Sequence, residues 1–179
     1  MSTTQAGTGA LWIDTSMGLS GPTLSLSFDI DVVTTPAAGL PQGGVGAPNG
    51  QAFAINVFGL DSVRILRFAV SPTSATGGDF GYRLPGDAGD LVSFGSYTDG
   101  ETHHVDINAD FSTSLMNISL DGIQVVTGAA LVNPGTGVLE VFMFQNGVDG
   151  QANQVALDNI VVTVPEPSHW RCLAWVWAG

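Results

Sequence analysis

Polar and apolar residues alternate with a period of two along most of this chain. In "TLSLSFDIDVV", residues 23–33, Leu24, Leu26, Phe28, Ile30 and Val32 fall on one side. Ser25, Ser27, Asp29 and Asp31 fall on the other, the pattern of a strand packed on one face and wetted on the other. Similar runs recur in "QAFAINVFG", "SVRILRFAV", "DLVSFGSY", "HHVDINA", "SLMNISL", "GIQVVTG", "GVLEVFMFQ" and "QVALDNIVVTV". Gly, Pro, Asn and Asp clusters separate them, the residues that turns require for a positive or preset φ.

In "LMNISLDGIQVV", Asp121-Gly122 stands between two strand-like runs and predicts a two-residue type I′ hairpin. "VLEVFMF" is apolar on both faces and predicts a strand inside a sheet. No segment repeats apolar residues at helical spacing, so almost no helix is expected. Around ten short strands with frequent turns predict an all-β, antiparallel β-sandwich. The longest irregular stretch is "TTPAAGLPQGGVGAPNG", residues 34–50, a long loop or a site.

Composition narrows the partners. The chain of 179 residues is 44% hydrophobic and 11% charged, with sixteen acids against four basic residues and a net charge of −12. The basic residues are Arg64, Arg67, Arg83 and Arg171, and lysine is absent. Such a field opposes a phosphate backbone, so no nucleic-acid partner is expected, and it argues against docking on anionic lipid. Glycans, metal ions or other proteins fit better. The single cysteine, Cys172, rules out a disulfide framework and a Cys-based zinc site. The N-terminus, "MSTTQAGTGALW", has neither the basic start nor the apolar run of a secretion signal.

The stretch "ETHHVDINADFSTSLMNISLDGIQVV" resembles the laminin G-like and concanavalin A-like jelly rolls. In those domains a Trp-His-x-Val strand is followed, after a turn, by a strand ending in Asp-Gly. His103-His104-Val105 and Leu120-Asp121-Gly122 match, with Thr102 in the place of tryptophan. The closing "VALDNIVVTV" is similar to the last strand of such domains. The resemblance implies a jelly roll over residues 1–163, with loops that carry glycan or Ca²⁺ contacts.

After that domain the vocabulary changes. Residues 164–179, "VPEPSHWRCLAWVWAG", hold three of the four tryptophans and the cysteine. Val164, Pro165, Glu166, Pro167 and Ser168 resemble the PEP-CTERM sorting signal of exported bacterial proteins. That signal continues into a Leu/Gly-rich membrane segment and an arginine cluster. Here eleven residues remain, too few for the ~20 needed to span a bilayer. Back-translated with Leu173 as a TTR codon and read from the third base of the His169 codon, the tail gives Leu-Ala and its remaining codons allow Leu-Leu-Gly-Leu-Gly-Leu-Gly, the expectation for a tail read out of frame. The gene's nucleotide sequence checks this: shifting the reading frame must reveal an apolar stretch ending in arginines. The resemblance implies export, processing by an exosortase-type enzyme, and a surface or matrix location in a Gram-negative bacterium.

Candidate chemistry is sparse. Asp29 and Asp31, two apart on one strand face, hold carboxylates roughly 6–7 Å apart. That suits an inverting glycosidase pair, two corners of a Ca²⁺ site, or a solvated outer face. The glutamates are Glu101, Glu140 and Glu166, and no Glu-x-Asp-x-x-Glu pattern occurs. His103 and His104 are adjacent in a strand, so they face opposite ways and cannot chelate one ion; one is expected to pack and one to meet solvent. "QNGVDGQANQ" gathers Asn146, Asp149 and Asn153 as candidate ligand contacts, with Asp99 and Asp149 as candidate Ca²⁺ ligands. Tyr82 and Tyr97 are candidate sugar-stacking rings, or else strand-end caps of the core. The expected function is that of an exported, non-enzymatic, lectin-like module associated with exopolysaccharide. The alternatives are a self-associating matrix protein and a polysaccharide-cleaving enzyme.

Overall fold

The computed structural model describes residues 2–4, 9–19, 21–35, 53–74, 76–83, 91–133, 138–145 and 152–164. Within these, side chains of 2–4, 9–19, 33–35, 138–145 and 152–154 are left out of the description. The described residues contain twelve strands and no helix. They are β1 (Ser2–Thr4), β2 (Gly9–Leu19), β3 (Thr23–Thr35), β4 (Phe53–Gly59), β5 (Arg64–Ser74) and β6 (Gly77–Arg83). The second half supplies β7 (Leu91–Thr98), β8 (Thr102–Asp110), β9 (Leu115–Leu120), β10 (Ile123–Ala130), β11 (Val138–Gln145) and β12 (Ala152–Thr163).

Two six-stranded antiparallel sheets result. The first has the order β1-β12-β3-β8-β9-β10 and the second β2-β11-β4-β5-β6-β7. The expected all-β sandwich is therefore the observed fold. Three strands lie outside the alternating runs: β1, β2 and the glycine-rich β6.

The period-two pattern builds the core. Leu24, Leu26, Phe28, Ile30 and Val32 on β3 are fully buried and meet Phe53, Ile55 and Val57 of β4 and Leu66, Phe68 and Val70 of β5 in one cluster. Phe68 sits at its centre. Its ring lies 5.3 Å from Phe28, 5.9 Å from Phe80 and 6.0 Å from Phe94.

The predicted hairpin is present. β9 and β10 pair antiparallel, with Asp121 at φ 52° and Gly122 at φ 76°, the two positive values that a type I′ turn requires. β11 lies inside its sheet between β2 and β4, as its two-sided apolar pattern predicts. The free edge at β10 is interrupted by two register shifts. There the Gly128 N–H donates to Asn117 Oδ1 at 2.9 Å. Such bulges spoil an edge as a template for further strands, which protects exposed Ile123 and Val125.

Residues 36–50 of the long loop lie outside the described residues, as do 165–179 of the tail. Val164, the first residue of the sorting-like sequence, is half-buried against the core.

Candidate functional site

The outer face of the second sheet carries the most unusual chemistry. Inward positions of β5 are Leu66, Phe68 and Val70, so Arg67 and Ala69 point outward. Arg67 pairs with Asn56 of β4, and Phe68 pairs with Tyr82, which brings Arg67 alongside Arg83 of β6. Arg64 joins them through a bulge. Phe58 pairs with Arg64 while Val57 pairs with Leu66, so Ile65 is an extra residue. In a regular strand, residues three apart face opposite ways; the bulge returns Arg64 to the side of Arg67.

Three of the four basic residues of the chain thus share one face. All three are half-buried. Burial, followed by the positive charges of Arg64 and Arg83, pushes the Arg67 guanidinium down to about 10. Burial, then Arg83, also lowers Arg64. Buried Asn56 accepts from Arg64 Nη1 at 3.4 Å.

The neighbouring row is small: Ala54 pairs with Ala69, and Ala69 with Gly81. Ala54 and Ala69 form a second buried cluster with Leu91. The rows continue across the sheet in register. Asn56 pairs with Phe142 and Phe142 with Trp12; Phe58 pairs with Glu140 and Glu140 with Asp14. Ala54, Asn56 and Ala69 are thus buried although they point away from the main core, and the half-buried arginines stand beside them.

The outer face of the first sheet holds a second polar group. Asp29 of β3 pairs with His104 of β8. His104 Nδ1 lies 2.5 Å from Asp29 Oδ1, and His104 Nε2 lies 3.2 Å from Ser27 Oγ. Asn159, at φ 51° in a bulge of β12, donates Nδ2 to Asp29 Oδ2 at 2.5 Å. Ser27, His104 and Asp29 stand in the order of nucleophile, base and orienter. Asp106 Oδ1 lies 3.4 Å from the same Nε2, however, and its negative charge opposes an oxyanion beside Ser27. The hydrogen bond to Asp29 raises His104, which favours a cation bridging two acids over a neutral base.

Asp29 is held below its ordinary 3.8 by its hydrogen bond to His104 and then by that to Asn159. A glycosidase acid needs a raised value, so this carboxylate is unsuited to that work. Asp31 stands two residues away on the same face.

His103 and His104 do face opposite ways. His103 packs edge-on against Phe80 with ring centroids 5.4 Å apart, while the His104 side chain is 43% exposed on the outer face. His103 Nδ1 lies 2.8 Å from Asp121 Oδ2, and the His104 backbone N–H donates to Asp121 Oδ1 at 2.8 Å. The two matched halves of the jelly-roll resemblance are therefore clamped to each other by one carboxylate.

This network sets a pH window. The raised His104 contributes stability that is full below its unfolded value near 6.5 and lost as pH rises through the folded value. The lowered Asp29 and Asp121 contribute above 3.8 and lose it as pH falls through their folded values. These groups together favour the interval between 3.8 and 6.5. Urea denaturation across pH is expected to show stability declining on the alkaline side of that interval, and His104→Gln to flatten the decline. A decline that the variant leaves unchanged would assign it to other groups.

The remaining candidates are placed as follows. Tyr97 is only 4% exposed, its ring 5.3 Å from that of Phe80, so it serves the core rather than a sugar-stacking surface. Tyr82 is half-buried and packs on the same core beside Phe94, also facing inward. Asp99 lies in the turn between β7 and β8, its N–H donating to Thr76 O. Among the described residues no three His, Cys, Asp or Glu side chains are grouped to hold a metal ion. Asn146 and Asp149 lie outside the described residues, and Asn153 is placed only by its backbone in β12. Sequence reasoning missed Arg64, Arg67, Arg83 and Asn56 as a group. The available signal was the crowding of three of four arginines into residues 64–83.

No protein-family model matches the chain, and no curated protein matches it in sequence. Solved structures do share its fold. A sialidase matches with a TM-score of 0.65 at 12% identity over 91% of this chain, which spans only 15% of that one. An alginate lyase from Alteromonas sp. 272 matches with a TM-score of 0.58 at 12% identity, covering 88% of this chain and 79% of the lyase. The carbohydrate recognition domain of Emp47p matches with a TM-score of 0.53 at 13% identity, covering 92% and 87%. At such identities the likeness concerns architecture: the chain has a jelly-roll sandwich fold.

Proposed function

We propose that this chain is an exported, non-enzymatic surface module that holds a polysaccharide along the outer face of its second sheet. The observation that carries the reading is the gathering of half-buried Arg64, Arg67 and Arg83 on one outer face beside buried Asn56. Few, directional polar groups on a broad face suit a chain of hydroxylated rings. The sandwich neighbours named above include a carbohydrate recognition domain and enzymes named for glycans, which supports a glycan ligand. Export and sorting rest on Val164 to Ser168, with an exosortase-type enzyme as processing partner.

A non-catalytic role is favoured by the chemistry of the described residues. Tyr82 and Tyr97 face the core, His103 and His104 belong to the first sheet, and the Ser27–His104–Asp29 group is neutralised by Asp106. The test is a thermal-shift titration against a panel of polysaccharides, with chain length of each recovered polymer measured afterwards. A saturable rise in melting temperature without shortening of the polymer is expected. Shortening would make the protein a polysaccharide-cleaving enzyme, and no rise with any polymer would remove the glycan reading.

A further inference from the structure

We propose that the side of the sandwich formed by β7 and β10 is where two copies of this chain join. Each sheet ends there. β7 closes the order of the second sheet and β10 that of the first, and among the described residues no further strand pairs with either. The two edges lie over one another: β7 touches β10, and Gly95 of β7 faces Leu120 of β9.

Charge selects this side. The chain carries a net charge of −12, so two copies repel across most of their surfaces. Neither β7 nor β10 contains a charged residue. On the opposite side β1 has only three residues, and β2 carries an acid, Asp14, at its middle position. The β7–β10 side also has apolar surface to cover. Ile123 is 69% exposed and Val125 40% exposed on β10, and a second copy seated there takes them out of water.

The two strands play different parts. β10 is broken by two register shifts and cannot serve as a ladder. β7 can. Past its own register shift, Gly95, Ser96, Tyr97 and Thr98 pair in unbroken order with Phe80, Asp79, Gly78 and Gly77. Tyr97 is buried, so Ser96 and Thr98 stand on the outer face, and both are exposed. That stretch has no lysine, proline or further bulge to prevent pairing.

Antiparallel pairing of β7 with its own copy about Ser96 sets the two Ser96 side chains opposite each other, a favourable hydroxyl pair, and extends the ladder. Asp79 pairs with Ser96 from the inner side. Its two copies then stand three strand spacings apart, about 14 Å, beyond the ~8 Å over which exposed charges stay coupled. Asp99, Glu101 and Asp121 cluster at one end of these strands, and the two-fold axis sends the two sets to opposite ends of the seam. Such a contact uses the same patch on both copies, so association stops at two.

The experiment is sedimentation velocity of the full chain over a wide range of concentration at physiological salt. A monomer–dimer equilibrium without larger species is expected. Ser96→Asp, which puts like charges across the axis, should weaken the dimer roughly ten-fold or more, with high salt restoring part of the loss. Ile123→Gln should weaken it as well, while Val161→Gln, at an exposed apolar residue of β12, should leave it unchanged. Ser96 and Ile123 are exposed, so both variants should unfold in urea near the wild-type midpoint. Cross-linking gives a second readout. In a Cys172→Ser background, Ser96→Cys should oxidise to a covalent dimer, because opposed residues of paired strands lie within disulfide reach. A monomer at every concentration, growth past the dimer, a dimer indifferent to Ser96→Asp and Ile123→Gln, or no cross-link from Ser96→Cys overturns the proposal.

Discussion

Phe68→Ala is expected to lower the unfolding free energy by about 3–5 kcal/mol. Phe68 is fully buried and touches the rings of Phe28, Phe80 and Phe94, so its loss removes contacts in both sheets at once. The neighbours belong to three further strands, whose backbones are pinned by their own ladders, so the void cannot close by a small shift. A domain of ordinary stability, about 5–15 kcal/mol, keeps little in reserve after such a loss. Urea unfolding is the measurement: the midpoint should fall with an unchanged slope. A midpoint within the error of wild type would mean that the sandwich is not held at this ring.

The second large effect is expected at Gly78. A Cβ there would sit 2.2 Å from Ser71 O and 2.8 Å from Pro72 Cα, both backbone atoms of the paired strand, and 2.7 Å from the Tyr97 hydroxyl. A side-chain tip can swing away, but a ladder carbonyl cannot move without breaking its strand. Gly78→Ala should therefore cost about 3 kcal/mol or more, above the usual range for overpacking. It should also disturb β6, the strand that presents Arg83. Asp79→Ala, one residue on, is expected to change stability by about 0.5 kcal/mol or less, because its side chain is partly exposed and outside the core. Equal stability of the Gly78 and Asp79 variants would show that β5 and β6 separate more easily than their register implies.

Both predictions bear on the arginine face. β5 and β6 carry its arginines outward and the Phe68 and Phe80 rings inward, so the packing that stabilises the sandwich also fixes the spacing of the charges. Loss of the inner contacts is expected to loosen the outer face as well.

The sequence by itself determined the class of fold. Alternation in residues 23–33 names the buried set of β3 residue by residue, because a half-buried strand has no other way to satisfy both faces. Asp121-Gly122 names its hairpin, because few residue pairs tolerate two successive positive φ values. The opposite facing of His103 and His104 follows from the pleat alone.

Other features stay silent in one dimension. β6 reads as a loop because its glycines, Gly77, Gly78 and Gly81, are there for close approach of backbone rather than for side-chain pattern. The strand order is set by which ladders close across long separations, as with β12 between β1 and β3. Asp29 and Asp31 look like a pair in sequence, yet the partners of Asp29 are His104 and Asn159, 75 and 130 residues away.

The arginine face shows the limit most clearly. Arg64 and Arg67 are three apart, a spacing that a regular strand divides between its two faces. Only the extra residue Ile65 in the pairing with β4 turns them to one side, and only the register of β5 on β6 brings Arg83 beside them. Charge is additive along a sequence, but a charged face depends on where the charges stand, and that was decided by a bulge and a register.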